Sequence, residues 1–196
     1  YKGSLMIHTG ATLRKVNAQG ESILFSNMAQ RASQAFAYED IFYIKDGQNY
    51  LQYDGTTIKD VVGYVPTTTI GRKPMGGGTK YEDVNMISDY RKNTFLADGV
   101  SFSFFLDVTK IDEDFVPIVK VNDEVVAQSE YQVDYADGRI TFITSPPDAP
   151  ETDGQDNVSI EFKKAVPKYK NAILGCTLLQ VFDNRVFFSG YEDFPN

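Results

Sequence analysis

Apolar and polar residues alternate with a period of two along almost the whole chain, the pattern of strands with one buried face. SLMIHTG and ATLRKVN read as a short hairpin around Thr9-Gly10, and ESILFSN adds a further strand. In AFAYEDIFYIKDGQNYLQYDG, residues 35–55, Glu39-Asp40 breaks two apolar runs and Asp46-Gly47 closes the second. NYLQYDG supplies a third run, closed by Asp54-Gly55. Asp-Gly between alternating apolar runs predicts a hairpin, because Gly accepts the positive φ that tight hairpin turns require. Only AQRASQA, residues 29–35, has the look of a helical turn. The fold class predicted is all-β.

From residue 64 to 88 the alternation fades. YVPTTTIGRKPMGGGTKYEDVNMIS is rich in Thr, Gly and Pro and reads as a long, mostly irregular connection. A second β series follows in NTFLADGVSFSFFLD, VPIVKVNDEVVAQ, YQVDYADGRITFITS and NVSIEFKKA, with turns at Asp98-Gly99, Asn122-Asp123 and Asp137-Gly138. Four to six strands in about 70 residues predict a compact β-sandwich. AYEDIFYI, residues 37–44, matches VFDNRVFF, residues 181–188, in chemistry at most positions. A recurring strand-turn-strand unit favours propeller-like blades. The expected organisation is therefore an insertion. Residues 1–92 plus 166–196 form partial β-propeller-like antiparallel sheets, a fragment of a larger domain, and residues 93–165 form an inserted small β-sandwich. Since the chain opens with Tyr, it is expected to be a fragment or a processed piece of a larger parent.

Charge sharpens that division. The 196 residues carry a net −8, but Asp107 to Lys163 holds 14 acids against 4 bases, while the remainder carries 13 against 15. Such a step marks separate modules, and an acidic segment is a poor partner for duplex DNA. No apolar run approaches the roughly 18 residues that span a bilayer. The single cysteine, Cys176, excludes an internal disulfide and reads as a buried small hydrophobe in ILGCTLLQVF.

Candidate chemistry is sparse. His8 is the only histidine, so a His-based metal cluster or a Ser-His-Asp arrangement has little to build on. PMGGGTK, residues 74–80, has Gly-Thr-Lys where a phosphate loop needs Gly-Lys followed by Ser or Thr, and reads instead as a tight turn or a close backbone approach. Asp112, Glu113 and Asp114 form one acidic run, and Asp148, Glu151, Asp153 and Asp156 occupy a Pro-rich loop. That loop offers oxygens to calcium but lacks EF-hand spacing, so a solvated acidic loop is the expectation. Tyr43, Tyr50, Tyr53 and Tyr64 could stack on sugars or bases, although most tyrosines should pack between sheets. No catalytic, cofactor-binding or metal-binding residue is assigned, and no cofactor is expected.

The middle segment resembles a β-sandwich module that recurs in bacteriophage tail and fibre proteins. The resemblance is carried by Phe95, Asp98 and Gly99, by Val119, Val121 and Asn122, and by Tyr131, Val133, Gly138, Ile140 and Phe142. The flanks FYIKDGQNYLQYDGTTIKDV and VFDNRVFFSG, with PMGGGT, are similar to virion structural proteins of tailed phages and prophages. More remotely they resemble β-propeller subunits of nozzle and DNA-stabilisation proteins that seal the exit channel of short-tailed phages, from which they depart in having too few blades. The resemblance implies a non-enzymatic structural component of the virion, at the head–tail junction or in the tail, acting through subunit assembly. Its implied partners are other virion subunits, with packaged DNA nearby and no membrane, after synthesis in the cytoplasm of a bacterial host. The alternative is a receptor- or carbohydrate-binding module of a phage tail that contacts a host surface glycan. An enzyme acting on cell-wall polymers would need two convergent carboxylates in a cleft.

Overall fold

The computed structural model describes residues 1–183 and 185–191; Asn184, inside the second copy of the repeated motif, and 192–196, the end of the last expected strand pattern, lie outside the described residues. The chain divides into two compact units, a body built from Tyr1–Val61 with the segment that starts at Pro167, and a middle unit, Val62–Val166. Strands come first in the body: β1 (Leu5–Thr9), β2 (Thr12–Asn17), β3 (Gly20–Phe25), β4 (Gln34–Tyr38), β5 (Ile41–Lys45), β6 (Tyr50–Tyr53) and β7 (Ile58–Asp60). They form an antiparallel β1-β2-β3 sheet and an antiparallel β4-β5-β6-β7 meander. A four-stranded meander is the topology of one propeller blade.

The hairpin turns follow their sequence. Glu39 and Asp40 both adopt positive φ (45° and 61°), so β4 and β5 close through a two-residue turn. Asp46 organises the next turn. Its carboxylate accepts from the backbone of Gln48, Asn49 and Ala29 at 2.6–2.8 Å and from the Asn49 side chain at 2.8 Å. Burial pushes this carboxyl's pKa up, but those hydrogen bonds outweigh it and hold the group below the ordinary carboxylate value. AQRASQA contains no helix; most of it is an irregular crossing into β4.

The middle unit comprises β8 (Thr67–Arg72), β9 (Thr79–Lys80), β10 (Tyr90–Phe95), β11 (Ser103–Phe105), β12 (Ile118–Val121), β13 (Glu124–Val125), β14 (Tyr131–Asp134), β15 (Arg139–Phe142) and β16 (Val158–Lys163). A six-stranded sheet, ordered β13-β12-β16-β10-β8-β9, packs on a three-stranded sheet, β11-β15-β14. Between them lie Phe95, Phe104, Val119, Ile140, Phe142, Val158, Ile160 and Phe162. Phe95 meets Phe104 edge-on at 5.5 Å, and Phe104 meets Phe142 at 5.6 Å. Full burial of each such side chain stabilises by roughly 1.5–3 kcal/mol. Burial alternates strictly along β10 and β16, as the sequence pattern implies.

This unit starts earlier than residue 93. The stretch expected to be irregular contains β8, which pairs in parallel with β10 inside the large sheet, and β9, which pairs with β8. The alternation was concealed because the inward positions of β8 are polar. Thr68 and Arg72 are buried there, and β-branched Thr suits a strand without advertising a core. A buried Asn93 completes the contact. It accepts from the Asp107 amide at 2.8 Å and donates to Thr68 Oγ1 at 2.9 Å, and Thr68 donates to Asp107 at 2.6 Å.

After the middle unit the chain does not resume directly as strand. A helix, α1 (Pro167–Gly175), precedes β17 (Leu178–Phe182) and β18 (Arg185–Ser189). Pro at the first helical position is the expected opening of such a helix. The β17–β18 hairpin pairs Val181 with Val186 and Phe182 with Arg185, the register in which β4–β5 pairs Ala37 with Phe42 and Tyr38 with Ile41. Asp183 has φ 47°, as Glu39 has φ 45°. The sequence match between 37–44 and 181–188 is thus a match of hairpins, each broken at its turn.

Candidate functional site

The residues that drew attention in the sequence serve the fold first. His8 lies between Ser33 Oγ (3.0 Å from Nδ1) and the Gly10 carbonyl (3.0 Å from Nε2), which fastens β1 to the strand entry. The triple glycine of PMGGGTK wraps a buried guanidinium. Arg72 donates to Gly77 O at 2.7 Å, Phe105 O at 2.9 Å and Leu106 O at 3.1 Å, and lies over the Phe95 ring. A Cβ at Gly78 would come within 2.6 Å of Arg72 Cγ and 2.7 Å of the Ile70 oxygen, so a side chain cannot fit there. Burial lowers the Arg72 pKa, with Asp107 opposing.

The residues carrying the phage-module resemblance are core and turn positions. Tyr131 is buried with its hydroxyl donating to Pro117 O at 2.6 Å, and Asp98 accepts from the amides of Val100 and Ser101. A Cβ on Gly138, at φ 63°, would lie 2.1 Å from the Val108 oxygen.

The acids divide in two. Asp112 accepts from the Ala165 amide at 2.8 Å and Asp114 pairs with Lys163 at 2.5 Å, which pins the edge of the sandwich. The loop around 148–156 borders a polar cavity of about 460 Å³, whose wall includes Asp123, Glu151 and Asp156 with Lys92, Thr94 and Ser159. One Asp156 oxygen accepts from the Gly71 amide at 2.9 Å and from Thr94; the other is buried with no hydrogen-bond partner among the described residues. Asp156 therefore ties the loop to β8 and β10. Among the described residues no three His, Cys, Asp or Glu side chains gather as a metal site.

Of the four tyrosines considered for stacking, three are packed. Tyr53 belongs to the β1–β7 core, Tyr43 stacks on Phe36 at 4.8 Å, and Tyr50 meets Phe188 edge-on at 5.7 Å. Tyr64 is exposed, as is Tyr81, and the Tyr64 hydroxyl donates to Glu82 at 3.1 Å.

What the sequence did not single out is the way the two faces of β4–β7 are used. Phe42, Ile44, Leu51 and Tyr53 line one face and pack with Leu13, Met28 and Phe25 of the β1–β3 side. The opposite face carries Phe36, Tyr43, Tyr50, Gln34 and Lys45, and receives α1 and the β17–β18 hairpin. Gln34 donates to Thr177 O at 2.6 Å, and Lys45, which is buried, donates to Leu174 O and to Cys176 O. Lys45 beside Asp46-Gly47 reads in sequence as an exposed turn residue, so only its inward register on β5 could have revealed it. Cys176 is a buried free thiol that donates to Ala172 O at 3.2 Å.

The stack of three sheets ends in exposed apolar faces. On the β17–β18 side these are Leu178 (62% exposed), Phe182 (69%) and Phe187 (50%). On the β1–β3 side they are Leu5 (63%) and Ile23 (58%), with the half-buried Ile7 and Val16 beside them.

Compared with known proteins, the chain matches no family model, no curated protein and no solved structure. No helix among the described residues is long and apolar enough to cross a membrane.

Proposed function

We propose that this chain is a non-enzymatic structural component of a tailed-phage virion, at the head–tail junction or in the tail, working through subunit assembly. One observation carries the reading: a stack of sheets that ends on both sides in large exposed apolar side chains. Large apolar side chains exposed together on one sheet face suit an interaction site. The sequence resemblance of the middle unit to a phage tail and fibre module, and of the flanks to virion proteins, supplies the context. The middle unit, with its own core, acts as an inserted docking or decorating module. The test is immunogold electron microscopy of particles from a strain carrying this gene, with an antibody against the chain. Gold is expected at the neck or tail; particles free of gold, with the protein left in the lysate, would overturn the reading.

A second reading, a glycan-binding tail module, draws on Tyr64 and Tyr81. Both are exposed, and Glu82 beside them accepts from the Tyr64 hydroxyl. Aromatic faces beside a carboxylate acceptor suit a sugar ring. Binding on a glycan array that disappears in Tyr64→Ala and Tyr81→Ala supports this reading, and an array without any signal removes it.

A further inference from the structure

We propose that the body continues its own stack in a second copy of this chain, the exposed face of one copy's β17–β18 hairpin taking the exposed face of the next copy's β1–β2–β3 sheet. The inference rests on the assembly reading above and names the partner.

The first observation is that β4–β5 and β17–β18 are one hairpin used twice, in one register. Their positions correspond: Ile44 to Phe188, Tyr43 to Phe187, Tyr38 to Phe182 and Gln34 to Leu178. The second is that the two copies use corresponding faces in corresponding ways. The Ile44 face of β4–β5 turns towards β1–β3, the sheet before it. The Phe188 face of β17–β18 turns towards Tyr50 in the meander before it. β4–β5 therefore shows its Ile44 face to its predecessor and its Tyr43 face to its successor, and β17–β18 shows its Ile44-type face to its predecessor.

That rule decides what fits each end. The exposed face of β17–β18, with Phe187, Phe182 and Leu178, is of the Tyr43 type and awaits a successor. The exposed face of β1–β3 points away from Phe42 and Ile44, and so awaits a predecessor. Residues Leu5, Ile7, Val16 and Ile23 share that face through the pairings Leu5–Val16, Ile7–Arg14 and Arg14–Ile23. The two ends are unlike, and they complement each other by the same rule that holds the body together. Arg185 is exposed on the hairpin face, and the Arg14–Glu21 ion pair (2.6 Å) on the sheet face balances its own charge, so no like charge opposes the contact. A contact between unlike patches is heterologous, and it propagates into a closed ring or a filament rather than stopping at a two-fold dimer.

Complementary knock-outs test this in solution. Ile23→Glu blocks the sheet face and Phe187→Glu blocks the hairpin face; both side chains are exposed, and unchanged circular dichroism and urea midpoints check the fold. In sedimentation experiments the wild-type chain is expected to form species larger than a dimer. Each variant alone should associate at least about tenfold more weakly, and a mixture of the two should give a one-to-one heterodimer, because each retains the face the other lacks. A wild type that sediments as a monomer at about 0.1 mM, where a micromolar contact is saturated, would overturn the proposal and leave both faces to segments of a longer chain. A mixture that stays monomeric would overturn it too, and so would a variant that by itself dimerises as strongly as the wild type, which would point to a symmetric contact. A monomeric chain that still labels phage particles defeats this contact but not the virion role; association without labelling does the reverse.

Discussion

The ammonium of Lys45 donates to the main-chain oxygen of Leu174 at 3.1 Å and joins residues 129 apart in the chain. The last carbonyls of a helix have no intrahelical partner, and a cation beside them is favoured by the helix dipole. Lys45 supplies that cation to α1 from the middle of a sheet, and also reaches the Cys176 carbonyl. The bond fastens the segment that returns from the middle unit to the meander laid down before it.

Replacing Lys45 by Met keeps the aliphatic stem and removes the donor. Two carbonyls lose their partner, each at roughly 1–3 kcal/mol if left dry, while the cost of burying the charge also disappears. The net loss expected is about 2 kcal/mol, read as a lower urea midpoint for the body. An unchanged midpoint would show that water replaces the ammonium.

Alkaline stability should depend on Tyr50. Burial, chiefly, pushes its phenol up to about 12 from an ordinary value of 10.0. Between these values the unfolded chain has given up a proton that the folded chain keeps, so stability falls as the pH rises through that window. Lys45 works in the opposite sense. Burial lowers its pKa from 10.5, so the penalty on its charged form fades as the pH rises towards that value. Tyr50→Phe removes the first effect alone and should therefore lose less stability than the wild type between pH 10 and 12. Parallel pH profiles for the two proteins would be the contrary result.

Two glycines in the middle unit form a matched pair. Gly138 and Gly154 both have positive φ, 63° and 79°, but a Cβ at Gly138 would strike the Val108 oxygen, whereas Gly154 has nothing within 4 Å. Left-handed backbone costs an L-residue roughly 1–2 kcal/mol. Gly154→Ala should cost about that much, and Gly138→Ala clearly more, about 3 kcal/mol or greater. Thermal unfolding of the two variants side by side provides the comparison.

Excision tests where the middle unit begins. A fragment of residues 62–166 keeps β8, β9 and the Thr68–Asn93–Asp107 hydrogen bonds, and should give dispersed amide NMR signals and one cooperative melt. A fragment of 93–165 lacks β8, strands the buried Asn93, and should aggregate or remain unfolded. Equal behaviour of the two would show that β8 contributes little to this core.

Much of the strand pattern could be read from the sequence because its inward residues are apolar. Phe95, Val119, Ile140, Val158, Ile160 and Phe162 announce one core, and Phe42, Ile44, Leu51 and Tyr53 the other. Legibility failed where the inward side chains are polar. Thr68 and Arg72 hid β8, since each is satisfied by partners distant in sequence, Asp107 for the one and the carbonyls of Phe105 and Leu106 for the other. Helix α1 went unread for a related reason: PKYKNAILG buries only Leu174, so it shows almost no apolar stripe. The exposed faces of Ile23 and Phe187 could not be told from buried ones, because alternation shows that a strand has two faces and not which of them finds cover.

The interrupted order of the body sets a timetable for synthesis. β4–β7 leave the ribosome early, but the helix whose end receives Lys45 and the hairpin that covers Tyr50 are encoded beyond the whole middle unit. At about 5–20 residues per second, that aromatic face stays bare for roughly 5–20 seconds while the intervening module emerges and folds. Nascent chains of this protein thus pass through a stage in which one half-built surface can find a neighbouring polysome's chain before its own, and slower translation between codons 62 and 166 should lower the soluble yield.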